Sequence, residues 1–277
     1  MNKQQGFTLV ELMISSVIGL IIMAGMMNLF ITVNQNVALS DALSQNQETG
    51  RFAMEYLTKN VRKAGYTDDP KISMSSILIS SSNIPCTTTS DPEACSENNP
   101  DSARGDRLAI PFHVSDGETV RSCTGTVLGD DATDPARAAN VFWVSNDPDT
   151  DRELLCRVYD MEANDWLLNS IGEAEAAVSI ITNVEAFEFQ VGVASRRGSR
   201  DAAKYVSVDN IPVNADNLTD IELIRSIRIS LLTTSQNTTD ENKSSTNQTT
   251  RTYSLMDAPY LVITDGNLRT LFNNTIE

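Results

Sequence analysis

The hydrophobic pattern changes character twice along the chain. From residue 12 to residue 40 no position is charged, and the most apolar part of that stretch is 12–33. As a helix, this part is long enough to cross a bilayer, because about 20 apolar residues span about 30 Å. From 34 onward the pattern becomes amphipathic. Leu43, Met54, Leu57, Val61 and Ala64 fall near one stripe at helical intervals, while Glu48, Arg51, Glu55, Lys59, Arg62 and Lys63 lie mostly off it. Gly65 reads as a stop, with Pro70 shortly beyond. The pattern predicts one helix from Phe7 to about Ala64, roughly 85–90 Å long at 1.5 Å per residue. Gly19, Gly25 and Gly50 either bend it or let a neighbour approach closely.

Beyond residue 66 the pattern shifts to short β-prone runs at 77–79, 107–112, 141–144, 154–159, 184–193, 224–232 and 252–255. Ile227, Ile229 and Leu231 alternate with Ser226, Arg228 and Ser230, as in a half-buried strand. In 184–193 the alternation carries a bulge-like slip. Runs joined by Asp, Asn, Gly and Pro clusters predict antiparallel pairing. Two polar stretches, 80–102 and 233–250, read as exposed loops. The expected fold class is therefore α+β: a long N-terminal helix, membrane-spanning in its first half, packed on a mainly antiparallel β-sheet domain. The expected segments are 1–6, 7–33, 34–65 and 66–277.

Composition narrows the functional classes. A net charge of −16 argues against a nucleic-acid backbone as the primary ligand, which needs clustered Lys and Arg. Four cysteines and one histidine are a poor kit for a metal or nucleophilic site. No Cys-x-x-Cys pair supports zinc. Asp147, Asp149 and Asp151, with Glu153 nearby, faintly resemble a calcium loop, but Arg152 and Val158 occupy the positions where that loop needs Gly and Glu. They read instead as a solvated hairpin turn. His113 has no nucleophile signature beside it, and Trp143 and Trp166 read as core or sheet-face residues. Arg196, Arg197 and Arg200 form a short basic patch that reads as a solvated loop. Neither an enzyme nor a cofactor is expected. An even cysteine count fits disulfides outside the cytosol, and the expected pairs are Cys86–Cys95 and Cys123–Cys156, out of three possible connectivities.

Glu11 is the residue that an ordinary membrane anchor or secretory signal leaves unexplained. A carboxylate five residues into an apolar segment is expensive in hydrocarbon, where insertion scales give about 2.5–3.5 kcal/mol for Asp at mid-membrane, and it calls for a partner. Gly6-Phe7-Thr8-Leu9-Val10-Glu11, followed by Leu12-Met13-Ile14 and preceded by a short polar leader containing Lys3, resembles the class III signal of type IV pilins and type II secretion pseudopilins. The resemblance implies that a membrane peptidase cuts between Gly6 and Phe7 and methylates the Phe7 amine. It also implies that Glu11 pairs with the Phe7 amine of a neighbouring subunit. The segment from Gly50 and Arg51 through Leu57, Arg62 and Gly65 to Tyr66 is similar to PilW-type minor pilins. That implies assembly with other minor pilins and the major pilin, prepilin peptidase as processing partner, and the inner membrane as first location. The globular domain would then lie in the periplasm and later at the pilus surface. A larger, GspJ-like type II secretion pseudopilin is the alternative within the resemblance, and a membrane-tethered binding domain or enzyme is the lesser alternative outside it.

Overall fold

The computed structural model describes residues 8–65, 67, 77–79, 94–98, 105–115, 117–131, 133–145, 152–169, 173–212, 221–235, 249–256, 261–265 and 269–276. Helix α1 runs without a break over Leu9–Val61, through Gly19, Gly25 and Gly50. At 1.5 Å per residue it is about 80 Å long. It ends slightly earlier than the pattern predicts. Arg62 to Gly65 form turns, and Gly65 takes φ +68°, the left-handed conformation that a glycine adopts without penalty. The Gly65 N–H donates to the Pro111 carbonyl at 3.1 Å, so the chain leaves the helix directly onto a sheet.

The strands are β1 Leu108–His113, β2 Val120–Arg121, β3 Val127–Leu128, β4 Arg137–Val144, β5 Glu153–Asp160, β6 Asp165–Trp166, β7 Val178–Thr182, β8 Val184–Val193, β9 Lys204–Val206, β10 Ile224–Thr234, β11 Thr249–Tyr253, β12 Leu261–Asp265 and β13 Arg269–Ile276. One sheet has the order β1-β4-β5-β6, with β7 also paired to β5. The other has the order β13-β10-β8-β9, and β11-β12 and β2-β3 are two-stranded ribbons. Every pairing between these strands is antiparallel. The fold is α+β, as the pattern predicts.

Three readings are corrected. Residues 77–79 form no strand; Ile77 and Leu78 are buried, and Leu78 is held by single bonds to Ala109 and Ser96. The run expected at 252–255 lies earlier, at Thr249–Tyr253, and Leu255 sits outside it in a small cluster with Ala186 and Leu232. Leu43 is 39% exposed and does not belong to the docked stripe, whose positions are Ala42, Asn46, Gly50, Ala53, Met54, Leu57, Asn60 and Val61. The slip expected in β8 is present: the β8–β10 register shifts between Leu232 and Thr233.

The main core lies between the second half of α1 and both sheets. Leu57, Phe142, Phe187, Phe189, Ile229 and Leu231 are its fully or nearly fully buried centre. The alternation in β10 places Ile227, Ile229 and Leu231 on this side. Strand β13 runs alongside α1 in the same direction. Asn46 Nδ2 donates to Thr270 Oγ1 at 3.2 Å, Gly50 faces Phe272, Asn274 Nδ2 donates to Thr58 Oγ1 at 3.1 Å, and Val61 and Ile276 line one cavity. From 46 to 61 the helix advances about 22 Å and from 270 to 276 the strand advances about 20 Å, so the two keep step.

Gly50 is where the approach is closest. A Cβ added there would stand 2.0 Å from Phe272 Cε2. Of the two roles open to this glycine, close packing is the one observed. Gly19 and Gly25 have nothing within 4 Å of such a Cβ.

Candidate functional site

The start of α1 is organised by Thr8. Its backbone is extended, with φ −78° and ψ 151°, and the helix begins at the next residue. The Leu12 N–H donates to the Thr8 carbonyl at 3.2 Å. The Glu11 N–H donates to the Thr8 hydroxyl oxygen at 3.3 Å. In return, Glu11 Oε2 accepts from the Thr8 N–H at 3.2 Å and from the Thr8 hydroxyl at 3.1 Å. This is a capping box, in which two N–H groups left over at a helix start satisfy each other's side chains. Both contacts fall on Oε2, and among the described residues Oε1 accepts no hydrogen bond. Thr8-Leu9-Val10-Glu11 has the S/T-x-x-E spacing of such a box, so the signal stands in the sequence. The sequence reading gives Glu11 a role and Thr8 none.

Glu11 is the single charged residue from 8 to 40, and the side chains from Thr8 to Asp41 are all exposed. Leu20, for example, is 67% exposed, and none of the most apolar window is buried in the chain's own fold. Three hydroxyls in this stretch bond back to the helix's own carbonyls. Ser15 donates to the Glu11 carbonyl at 2.6 Å, Ser16 to the Met13 carbonyl at 2.8 Å and Thr32 to the Asn28 carbonyl at 2.9 Å. Self-satisfied hydroxyls on an apolar surface suit hydrocarbon or other helices, because neither offers water to an unpaired donor. Gly6 and Phe7, the expected cut site, lie outside the described residues.

The docked half of α1 is pinned by polar contacts that periodicity does not reveal. The Tyr56 hydroxyl donates to the Cys123 carbonyl at 2.6 Å. Asn60 Nδ2 donates to the Tyr56 carbonyl at 2.9 Å, and Asn140 Nδ2 donates to Asn60 Oδ1 at 3.2 Å. Asn140 Oδ1 in turn accepts from the Cys123 N–H at 3.0 Å. Cys123 is bonded to Cys156 with the Cα atoms 6.3 Å apart, so the loop that holds Tyr56 is tied to β5. Burial pushes the Tyr56 phenol up from its ordinary value and keeps it a neutral donor. Cys95 is also disulfide-bonded, while Cys86, its expected partner, lies outside the described residues.

The other sequence candidates separate. His113 Nδ1 faces the Ser115 hydroxyl at 3.4 Å on the edge of β1. Trp166 is buried, Trp143 is half-buried, and the Arg157 guanidinium lies 4.4 Å over the Trp166 ring. Arg197 pairs with Glu222 at 3.2 Å, and Arg196 and Arg200 are exposed near it in the chain. Asp147, Asp149 and Asp151 lie outside the described residues, and among the described residues no His, Cys, Asp and Glu cluster could hold a metal. Sequence reasoning also missed Glu185. This residue is buried and accepts from Arg152 at 2.7 Å and from Arg269 at 2.8 Å, joining the ends of three strands. Residue identity alone carries no signal for it.

Comparison with known families gives two matches. The prokaryotic N-terminal methylation motif matches residues 1–27, which include the capped helix start. The family described as type IV pilus-assembly protein W matches residues 141–277, from the second half of β4 to the end of β13 and beyond. The resemblance read at 50–66 falls between the two matched stretches. No curated protein and no solved structure matches the chain. A methylation motif on a bare apolar helix, joined to a sheet domain of the assembly-protein W family, makes this chain a membrane-anchored, PilW-like type IV pilin.

Proposed function

We propose that the chain is a minor pilin, a structural subunit rather than an enzyme, working in the initiation or tip complex of a type IV pilus. It is made as a precursor with a leader at 1–6. It enters the inner membrane through α1 with its globular domain in the periplasm. Prepilin peptidase cuts between Gly6 and Phe7 and methylates the new Phe7 amine. The mature subunit then packs its bare helix against those of other minor pilins and the major pilin, and leaves the membrane for the pilus surface.

The observation that carries this reading is Glu11, the single charge in the long, unburied apolar stretch 8–40 of α1. An isolated carboxylate there is costly, and an ammonium at the same depth on a neighbour turns the cost into a specific contact. Oε2 is committed to the helix cap, and Oε1 remains to receive such an ammonium. The match to the pilus-assembly family favours a pilus over a type II secretion machine.

The reading is tested by expressing Glu11→Ala in cells that make pili. The expected result is normal membrane insertion with a reduced amount in the sheared filament fraction. Undiminished incorporation would remove the pairing. Gly6→Leu is expected to leave the precursor whole by intact mass, whereas the wild-type mature chain begins at Phe7.

A further inference from the structure

We propose that the far end of α1 carries a docking surface for an acidic segment of another pilus subunit, with one aliphatic side chain of that segment seated in the cavity beside Val61. The proposal rests on the assembly reading above. The cavity has a volume of about 140 Å³ and opens to solvent. Val61 and Ala64 from α1, Ile224 and Ile227 from β10 and Ile276 from β13 give it an apolar wall. A dry apolar cavity of about 150 Å³ takes up a molecule as large as benzene, so this one has room for a leucine or isoleucine side chain.

The mouth of the cavity is cationic. Arg62 and Arg225 also line it. Arg225 donates only to carbonyls, those of Ser199, Glu222 and Ile224. The bond to Ser199 draws the loop at 196–200 against the start of β10, and Arg197 adds an ion pair to Glu222 at 3.2 Å. Arg196 and Arg200 stand exposed on that loop. Glu222 is therefore taken by Arg197, and among the described residues Arg62, Arg196, Arg200 and Arg225 form no ion pair. In a chain with 37 acidic residues against 21 Lys and Arg, unpaired arginines gathered at one end are an exception that solubility does not call for.

A carboxylate next to an aliphatic residue matches both parts of this surface, the guanidinium groups by paired hydrogen bonds and the cavity by burial. A nucleic-acid backbone matches only the charges, and the net charge of −16 repels it. Position favours a neighbouring subunit as the source. The surface lies at the end of α1 opposite its bare, apolar half. Helices packed side by side with an axial offset bring the domain of the next subunit over this end, so the acidic segment belongs on the side that the next subunit turns toward the membrane.

The test uses the full chain in cells that assemble pili. Arg62→Glu together with Arg200→Glu reverses two exposed charges that form no ion pair in the fold. Like charges set against the acidic segment are expected to lower the amount in the sheared filament fraction about tenfold, with membrane insertion and Tm unchanged. Ala64→Leu, which occupies the cavity from within, is expected to lower it about fivefold. Arg251→Glu reverses an exposed charge on β11 and is expected to change nothing. A photo-crosslinking amino acid in place of Ala64 is expected to join a peptide of another pilus subunit in which an aliphatic residue stands next to Asp or Glu. Changing that acidic residue to Lys is expected to restore incorporation of the Arg62→Glu, Arg200→Glu chain. Incorporation of the double variant at the wild-type level overturns the proposal. So does a crosslinked peptide without an acidic residue, or a Lys change that restores nothing. Binding of a fluorescent DNA duplex at physiological salt, lost in the double variant, also overturns it, because the arginines would then serve a nucleic acid. Absence of the wild-type chain from the filament fraction removes the assembly reading itself, and the proposal falls with it.

Discussion

The two halves of α1 share one backbone and meet opposite surroundings. From Leu9 to Asp41 every side chain is exposed, and most are large and apolar. From Ala42 to Val61 one face is buried, and that face includes Asn46, Gly50 and Asn60 beside Leu57 and Met54. The half that looks like a protein core by composition is nowhere buried among the described residues. The half that looks mixed is the one the fold holds. Apolar content therefore marks where the helix meets surfaces beyond this chain, while small and amide side chains mark where it meets its own domain.

This contrast can be tested by mutation, most strongly at Leu57. It is 0% exposed in the main core, and Leu57→Ala should cost about 2–5 kcal/mol, read as a lower Tm of the whole chain in micelles. Leu20→Ala in the bare half should leave that Tm unchanged. A matching loss at Leu20 would mean that the first half folds back on the domain. Gly50→Ala should come next, at about 1–3 kcal/mol, because its Cβ meets the Phe272 ring. Phe272→Leu in the same chain should recover part of the loss, and Gly25→Ala should cost nothing. Tyr56→Phe removes one buried hydrogen bond to the Cys123 loop and should lower stability by about 1 kcal/mol, without changing the extraction of the chain from membranes.

The smallest effect is absent at neutral pH. Tyr159, buried against Trp166 and bonded to Asn164, has its phenol pushed up to about 12, by burial first and then by Asp165 and Asp160. The folded value exceeds the ordinary one of 10, so its contribution is complete below pH 10 and is lost as pH rises toward 12. Phenolate absorbance and Tm followed together should show this window. Titration of this tyrosine at pH 10 in the folded chain would place it outside the core.

Much of this was legible in the sequence, for physical reasons that also explain the failures. The long helix is visible because 12–40 carries no charge and Gly65 can take positive φ. Strands β8 and β10 are visible because they alternate. Strand β13 is missed because it buries little: Ile276 is its one buried residue, Thr270 and Phe272 are half-buried, Asn274 is exposed, and Asn273 beside Asn274 reads as a turn. β7 is missed because Val178 and Ser179 are exposed, leaving Ile181 as its one buried side chain. Leu43 misleads because a leucine at helical spacing looks docked, whereas Asn46, which does dock, looks exposed. At the helix start, Glu11 stands out as a lone charge, but its role in the cap shows only when Thr8 is read with it at a spacing of three.

The way β13 keeps step with α1 has a mechanical consequence. The side-chain pegs at Asn46, Gly50, Thr58 and Val61 are spread along the helix beside Thr270, Phe272, Asn274 and Ile276. A pull along the helix axis therefore loads them side by side and all at once, in shear, and does not peel them one after another. Tyr56 carries part of the same load sideways, through the Cys123 carbonyl, into a covalent cross-link. The domain is fixed to its anchor like a tenon pinned along its length, the joint that resists withdrawal best in the direction in which the anchor would be drawn.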